Sequence, residues 1–340
     1  MPQPRLTTPI AGFVQGGTPT VVPVYGHRKQ GSGYGYSGIR GLNALIATAT
    51  TDGRAPVIVG QRLRRGACGS SRGASRMVTD ALATLGHMGP QSPGWVLVRA
   101  DSAFYGHPTV SAALRTGADV SVTVRLTAKV KAAIAAIDED AWTPIEYTDA
   151  VYDEQTDRWI SRAEVAEIDF TAFTRLASER TPGRLVVRRI PDLNPRSTDG
   201  QGTLFDTWRF HAFFTTTDPT VLDTVAADKV HRGHAIIEQV HADLKNSALA
   251  HLPSGRFTAN SAWLVLATMA FNLTRAAATL TGTRLAKATT ATIRRTLISV
   301  PARIASSARR LTLHLPRHWP WESEWNHLFT HTRHRKPQAT

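Results

Sequence analysis

Acidic residues are missing where the chain begins: residues 1–51 contain no aspartate and no glutamate, and Asp52 is the first of either. No carboxylate chemistry can come from that stretch. Cysteine is almost absent too. Cys68 is the single one in 340 residues, which excludes an internal disulfide and a thiolate zinc cluster and fits a reducing compartment. The most apolar run, Ala262–Phe271, spans ten residues before Asn272 and Arg275 interrupt it. That is about half of a bilayer crossing, so a buried helix is expected there. The opening MPQPRLTTPIAGFVQGG lacks the apolar segment of a signal peptide, so no secretory leader is expected. Internal repeats and low-complexity tracts are also lacking.

What is present suits a folded, basic protein. Hydrophobic residues make up 42% and charged residues 19%, enough apolar area to offset the entropy of ordering. Forty Lys and Arg against 26 Asp and Glu give a formal net charge of +14. Such a surplus attracts phosphate through a field that does not depend on sequence. A basic protein with no nucleic-acid role is the alternative.

Short apolar runs bounded by turn residues predict strands over Val21–Tyr25, Tyr34–Thr50 and Ala55–Leu63, the second, punctuated by Gly35, Gly38 and Gly41, being a strand-pair element or a bent strand. Thr51, Asp52 and Gly53 predict a turn. A helix is expected over Ser71–Leu85 with Ser70 or Ser71 as its N-cap. Gly94–Ala100 is a continuous apolar strand that stops abruptly at Asp101, and a helix at Pro108–Arg115, a strand at Val120–Val124 and a helix at Ala128–Ile137 follow. This alternation argues for an α/β sheet. Between Trp142 and Asp218 the pattern turns to β-like runs, notably Glu164–Phe170, Arg184–Ile190 and Trp208–Thr215, and reads as a β-rich insertion. Helical periodicity returns over Val221–Leu249, Asn260–Leu280 and Thr289–Arg310.

Residues 284–336 hold eleven Lys or Arg against Glu322 and Glu324, with Trp319, Trp321 and Trp325 interleaved. The tail is read either as a grip on DNA phosphates or as a solvated basic helix whose tryptophans anchor it to the core.

Two carboxylates stand out by position. Asp101 ends the most apolar strand, where open α/β sheets present ligand-binding groups, although spacing alone favours a helix-cap or turn role. Glu238 lies in HRGHAIIEQVHADLK, where His231, His234, Glu238, His241 and Lys245 fall on one helical stripe. The stripe has three readings. It is a solvated polar face, a metal site in which Glu238 and His241 pair as Glu324 and His327 do, or a phosphodiester site with a cation-holding carboxylate and a DNA-contacting lysine.

The stretches VYGHRKQGSGYGYSGIRGLNALIAT, VLVRADSAFYG, HAIIEQVHADLKN and HLPSGRFTANSAWLVLATMAFNLTRAA, in this order from about Val21 to near Phe329, resemble bacterial insertion-sequence transposases of the DDE type, in the family numbered 1380. The resemblance implies a ribonuclease-H-like α/β fold: a mixed sheet with flanking helices, a β-rich insertion and a helical, basic C-terminal region. Composition adds a degenerate or disordered leader over 1–20, and the chain then divides into the first part of the catalytic core over 21–140, the insertion over 141–220, the end of the core with its glutamate helix over 221–282, and the basic region over 283–340. Such enzymes hold Mg2+, for which Mn2+ substitutes, at two aspartates and one glutamate. They nick the element's ends and join the freed 3′-hydroxyls to target DNA. The implied partners are terminal inverted repeats and target DNA, engaged by a homo-oligomer at the nucleoid of the bacterial cytoplasm, with no membrane.

By position, Asp101 corresponds to the second catalytic aspartate and Glu238 to the glutamate, both as metal ligands. The wider superfamily carries Tyr, two residues, Arg, three residues, Glu, six residues, Lys. Here His231 and His234 replace the Tyr and Arg, while Glu238 and Lys245 match. Lys245, His234, Arg232 and His231 are thereby expected on DNA. Near neutral pH a histidine at 234 is mostly uncharged, which weakens any phosphate contact relative to arginine.

The first aspartate is the departure from the pattern. Its position, a few residues before VYGH, is held by Thr18 or Pro19, and neither offers a carboxylate. Two-metal chemistry depends on clustered anionic oxygens, so a catalytically impaired, N-terminally truncated copy is expected, with the first twenty residues a frame-shifted or newly started leader. The rival expectation is a DNA-binding remnant without catalysis that interferes with intact transposase.

Overall fold

The computed structural model describes residues 11–16, 20–25, 28–35, 37–51, 55–87, 94–153, 158–191, 208–233, 236–282, 284–316 and 318–334. The turn expected at Asp52 and Gly53 lies outside them. The chain divides into two compact units. The first comprises Met1–Gly12, Pro19–Gly69 and Ile236–Thr340, and the second Phe13–Thr18 and Ser70–Ala235.

Strand β1 (Ala11–Gly16) has residues in both. In the first unit β2 (Thr20–Pro23), β3 (Gly33–Tyr34) and β5 (Val57–Arg64) all pair antiparallel with β4 (Arg40–Thr50). β4 is buried along almost its whole length, and its sequence RGLNALIATAT alternates small residues with Leu and Ile so that neighbours close over it. Glycine is obligatory at two crossings. A Cβ on Gly41 would stand 2.4 Å from the Val22 carbonyl oxygen, and one on Gly66 only 2.1 Å from that of Gly41.

The second unit opens with α1 (Ala74–Gly86), which buries Met77, Val78, Ala81, Leu82 and Leu85 at helical spacing. Its N-cap is Gly73 at φ +79°, with no side-chain cap, so the expected capping by Ser70 or Ser71 is corrected. Glycine alone takes that left-handed turn without strain. β6 (Trp95–Ala100), α2 (His107–Leu114) and β7 (Asp119–Thr123) form a strand–helix–strand unit whose strands are parallel. After α3 (Ala128–Ala135), the strands β8 (Thr143–Asp153), β9 (Arg158–Ala172), β10 (Thr181–Pro191) and β11 (Trp208–Thr215) run antiparallel. β11 pairs with β7, so this segment continues a single mixed sheet in the order β6-β7-β11-β10-β9-β8. The chain is thus a mixed α/β protein. α4 (Thr224–Arg232) is capped by Asp223 and packs Ala227 on Val186 and Phe213.

The helical run expected over Val221–Leu249 is two helices, not one. α4 stops at Arg232, and α5 (Ile236–Lys245) starts anew. Arg99 from β6 holds the end of α4: its guanidinium donates to the Val230 carbonyl, and a Cβ at Gly233 would lie 2.7 Å from Arg99 Nη1.

Back in the first unit, α5 and α6 (Phe257–Leu280) cover the sheet through Ile237, Val240, Leu244, Leu264 and Phe271, against Val22, Leu42, Ile46 and Ile58. The expected buried helix is buried on one face only. Leu266, Met269 and Leu273 are more than half exposed on the other. α6 is long and apolar enough to cross a membrane, yet it packs Asn260, Thr268 and Arg275 inside its unit.

The helix expected over Thr289–Arg310 is corrected. α7 (Thr290–Ile293) passes into a π-helical turn to Ile298, and the chain then forms a hairpin of β12 (Arg303–Ser307) and β13 (Arg310–His314). Pro301 lacks an N–H and disfavours helix at Val300, and Ala308 takes φ +52° at the hairpin turn. The C-terminal region is therefore not helical throughout. α8 (Glu322–His334) follows, with Trp321 and Trp325 packed on Leu285, Ile293 and Leu297. Trp325 also donates to the Leu297 carbonyl at 3.0 Å, so these two tryptophans anchor the tail.

Candidate active site

β6 delivers Asp101. Leu97, Val98 and Ala100 are buried, and the strand ends where Asp101 turns partly to solvent. Its Oδ1 accepts from the Ala103 backbone N–H at 2.5 Å and caps the short 3-10 turn Ser102–Phe104, whose Phe104 is buried. The turn role foreseen for this aspartate is therefore real, and it fixes the carboxylate at the strand's C-terminal end. Sequence reasoning missed the side chains that flank this turn, Tyr105, Arg125, Lys129 and Phe173. They lie in or beside loops, where no periodicity announces them. Burial pushes the Tyr105 phenol up to about 12.

α4 carries His231 and Arg232. The His231 ring is 7% exposed, with Nδ1 2.8 Å from Ser121 Oγ and Nε2 3.0 Å from Thr123 Oγ1. It also stacks on Phe213 at 4.0 Å, which turns it into the unit's interior. Arg232 Nε donates to Asp228 at 2.8 Å, and Asp228 also accepts from Arg188. His234 lies outside the described residues.

α5 presents Glu238 in its first turn and Lys245 in its last, both exposed. Seven residues apart, they share one face, and their signs suit the helix dipole at each end. His241 does not share it. It is 6% exposed, neither ring nitrogen has a hydrogen-bond partner among the described residues, and burial with a nearby Lys245 lowers its pKa to about 4. The single five-residue stripe is thus corrected, because His231 belongs to α4 and both His231 and His241 point inward.

Asp243 holds α5 in place. Its carboxylate accepts from Arg275 Nη2, from the Thr290 backbone N–H at 2.9 Å and from Thr290 Oγ1 at 2.7 Å, tying α5 to α6 and α7. Arg275 also donates to the Ala288 carbonyl and lies 4.8 Å over the Phe271 ring. Burial lowers the Arg275 pKa, and Asp243 opposes that. An aspartate three residues after Val240, on the apolar face, was the available sign of this buried pair.

The structure therefore places Asp101 in one unit and Glu238 with Lys245 in the other. Positions 18 and 19 lie outside the described residues. Among the described residues no three His, Cys, Asp or Glu side chains gather to hold a metal ion. Two carboxylates do not supply the clustered anionic oxygens that a two-cation centre needs. The paired Glu-x-x-His reading finds no support either: His241 is buried, and His327 Nδ1 lies 3.0 Å from the Leu280 carbonyl.

Among protein families, the model described as transposase DDE domain group 1 matches residues 19–337. No curated protein matches the chain.

Proposed function

The chain belongs to the family of transposase DDE domains, group 1, and from that premise we propose that it acts on DNA as an insertion-sequence transposase of the family numbered 1380, with impaired strand chemistry. One observation carries the impairment: residues 1–51 hold no carboxylate, so Thr18 and Pro19 stand where the first acid belongs. In this reading Asp101 and Glu238 are the remaining catalytic carboxylates, and Mg2+, or Mn2+ in its place, is the cation that intact relatives would hold there. Lys245 and Arg232 meet the DNA backbone, which the net charge of +14 favours. The inward-turned His231 is a packing residue, and His234 stands in for an arginine. The protein works as a homo-oligomer on terminal repeats and target DNA, in the cytoplasm at the nucleoid.

Cleavage of labelled element-end DNA tests the proposal. The unmodified chain is expected to give no nicking with Mg2+ or Mn2+. Pro19→Asp or Thr18→Asp is expected to produce cation-dependent nicking that Asp101→Ala abolishes. Nicking by the unmodified protein, abolished in Asp101→Ala, overturns the impairment. The same missing acid favours a second reading, a DNA-binding remnant that interferes with intact transposase. DNA binding that persists while neither restored acid yields nicking would select it.

A further inference from the structure

We propose that the cavity beside the Asp101 turn is a pocket for one unpaired DNA nucleotide, its base against Tyr105 and Phe173 and its phosphate at Arg125 and Lys129. The inference rests on the DNA-acting reading given above and assigns a subsite that this reading does not contain.

The pocket lies within the second unit. Its volume is about 410 Å3, within the range of small-ligand sites, and Ser102, Tyr105, Arg125, Lys129, Phe170 and Phe173 supply its walls. Ser102 belongs to the short turn that Asp101 caps, and Tyr105 follows that turn, so the cavity adjoins the turn without Asp101 lining it. The rings of Tyr105 and Phe173 are 5.0 Å apart, and Phe214 meets the edge of Tyr105 at 6.2 Å. Phe173 is held at φ +53°, a conformation that side chains other than glycine seldom adopt. Strained backbone of this kind gathers at ligand sites because the surrounding fold must enforce it.

The chemistry of the walls selects the ligand. Lys129 Nζ lies 4.7 Å over the Phe170 ring and donates to Thr171 O at 2.6 Å and Thr174 Oγ1 at 3.1 Å, using two of its three protons. Arg125 is exposed at the rim. Among the described residues no carboxylate lines the cavity. Two cations without an acid suit a phosphate. The aromatic walls suit a base. A base stacked inside a duplex cannot reach such faces, so the nucleotide that enters is unpaired.

Binding of the full chain to single-stranded oligo(dT) and to duplex DNA, with 5-iododeoxyuridine as a photo-crosslinking probe in the single strand, tests this. Crosslinks are expected on Tyr105 or Phe173. Tyr105→Ala and Phe173→Ala are each expected to weaken oligo(dT) binding about tenfold and leave duplex binding unchanged, while Tyr105→Phe keeps both. Should the alanine variants fail to fold, exposed Arg125→Gln is expected to weaken oligo(dT) binding with the fold intact. Unchanged oligo(dT) affinity in the folded variants, equal losses on duplex, or crosslinks confined to other segments would overturn the pocket while the DNA-acting reading stands. A wild-type chain that binds neither DNA form overturns both.

Discussion

His241 lies three residues beyond Glu238 on α5, yet its ring is packed where water does not reach and finds no hydrogen-bond partner among the described residues. Folding therefore favours its neutral form. The unfolded chain takes up a proton near pH 6.5, the folded one only near 4. Since the unfolded state binds more protons in that window, stability is full above about pH 6.5 and falls as the pH drops toward 4, by up to about 3 kcal/mol. Urea midpoints measured from pH 7 to 4 should show this loss, and His241→Leu should flatten it; equal slopes in both proteins would refute the assignment. The placement of Asp101 at a strand end and of Glu238 on a helix was legible in the sequence, the first from an apolar strand that stops and the second from helical periodicity. The inward turn of His231 and His241 was not. Angular arithmetic shows which residues share a face, whereas the side that packs depends on what lies against it.

At the level of elements, the first unit is built on backbones that touch. A methyl group on Gly66 would come within 2.1 Å of the Gly41 oxygen and 2.3 Å of the Gly33 oxygen, atoms held by the pairing of β3, β4 and β5. Gly66→Ala is expected to cost about 1–3 kcal/mol, since none of these backbone atoms can move alone. Gly69→Ala, with nothing within 4 Å of the added carbon, is the matched control and should change little. Thermal unfolding of the two variants side by side decides it. The strands here were foreseen from β-branched and apolar runs. The hairpin of β12 and β13 was not, because its strands are only five residues each and almost entirely exposed, too short for their alternation to stand out against a helical spacing.

For the whole molecule, the proposed action on DNA makes the excess of 40 basic over 26 acidic residues the main source of affinity. Affinity for duplex DNA should fall steeply with salt through counterion release, and Lys245→Ala should reduce the log–log slope by about one, because the variant neutralises one phosphate fewer. Anisotropy titrations over a range of salt concentrations measure both slopes; an unchanged slope in the variant would remove Lys245 from the DNA surface. The sequence by itself determined the α/β class, most strands of the mixed sheet, the basic character and the absence of an early carboxylate, because each of these is written in composition or local periodicity. Tertiary structure alone decided that His231 and His241 turn inward, that Asp243 and Arg275 clamp the Glu238 helix, and that Tyr105, Arg125, Lys129 and Phe173 line one cavity. Those depend on interactions between residues far apart in the chain, for which no local pattern exists.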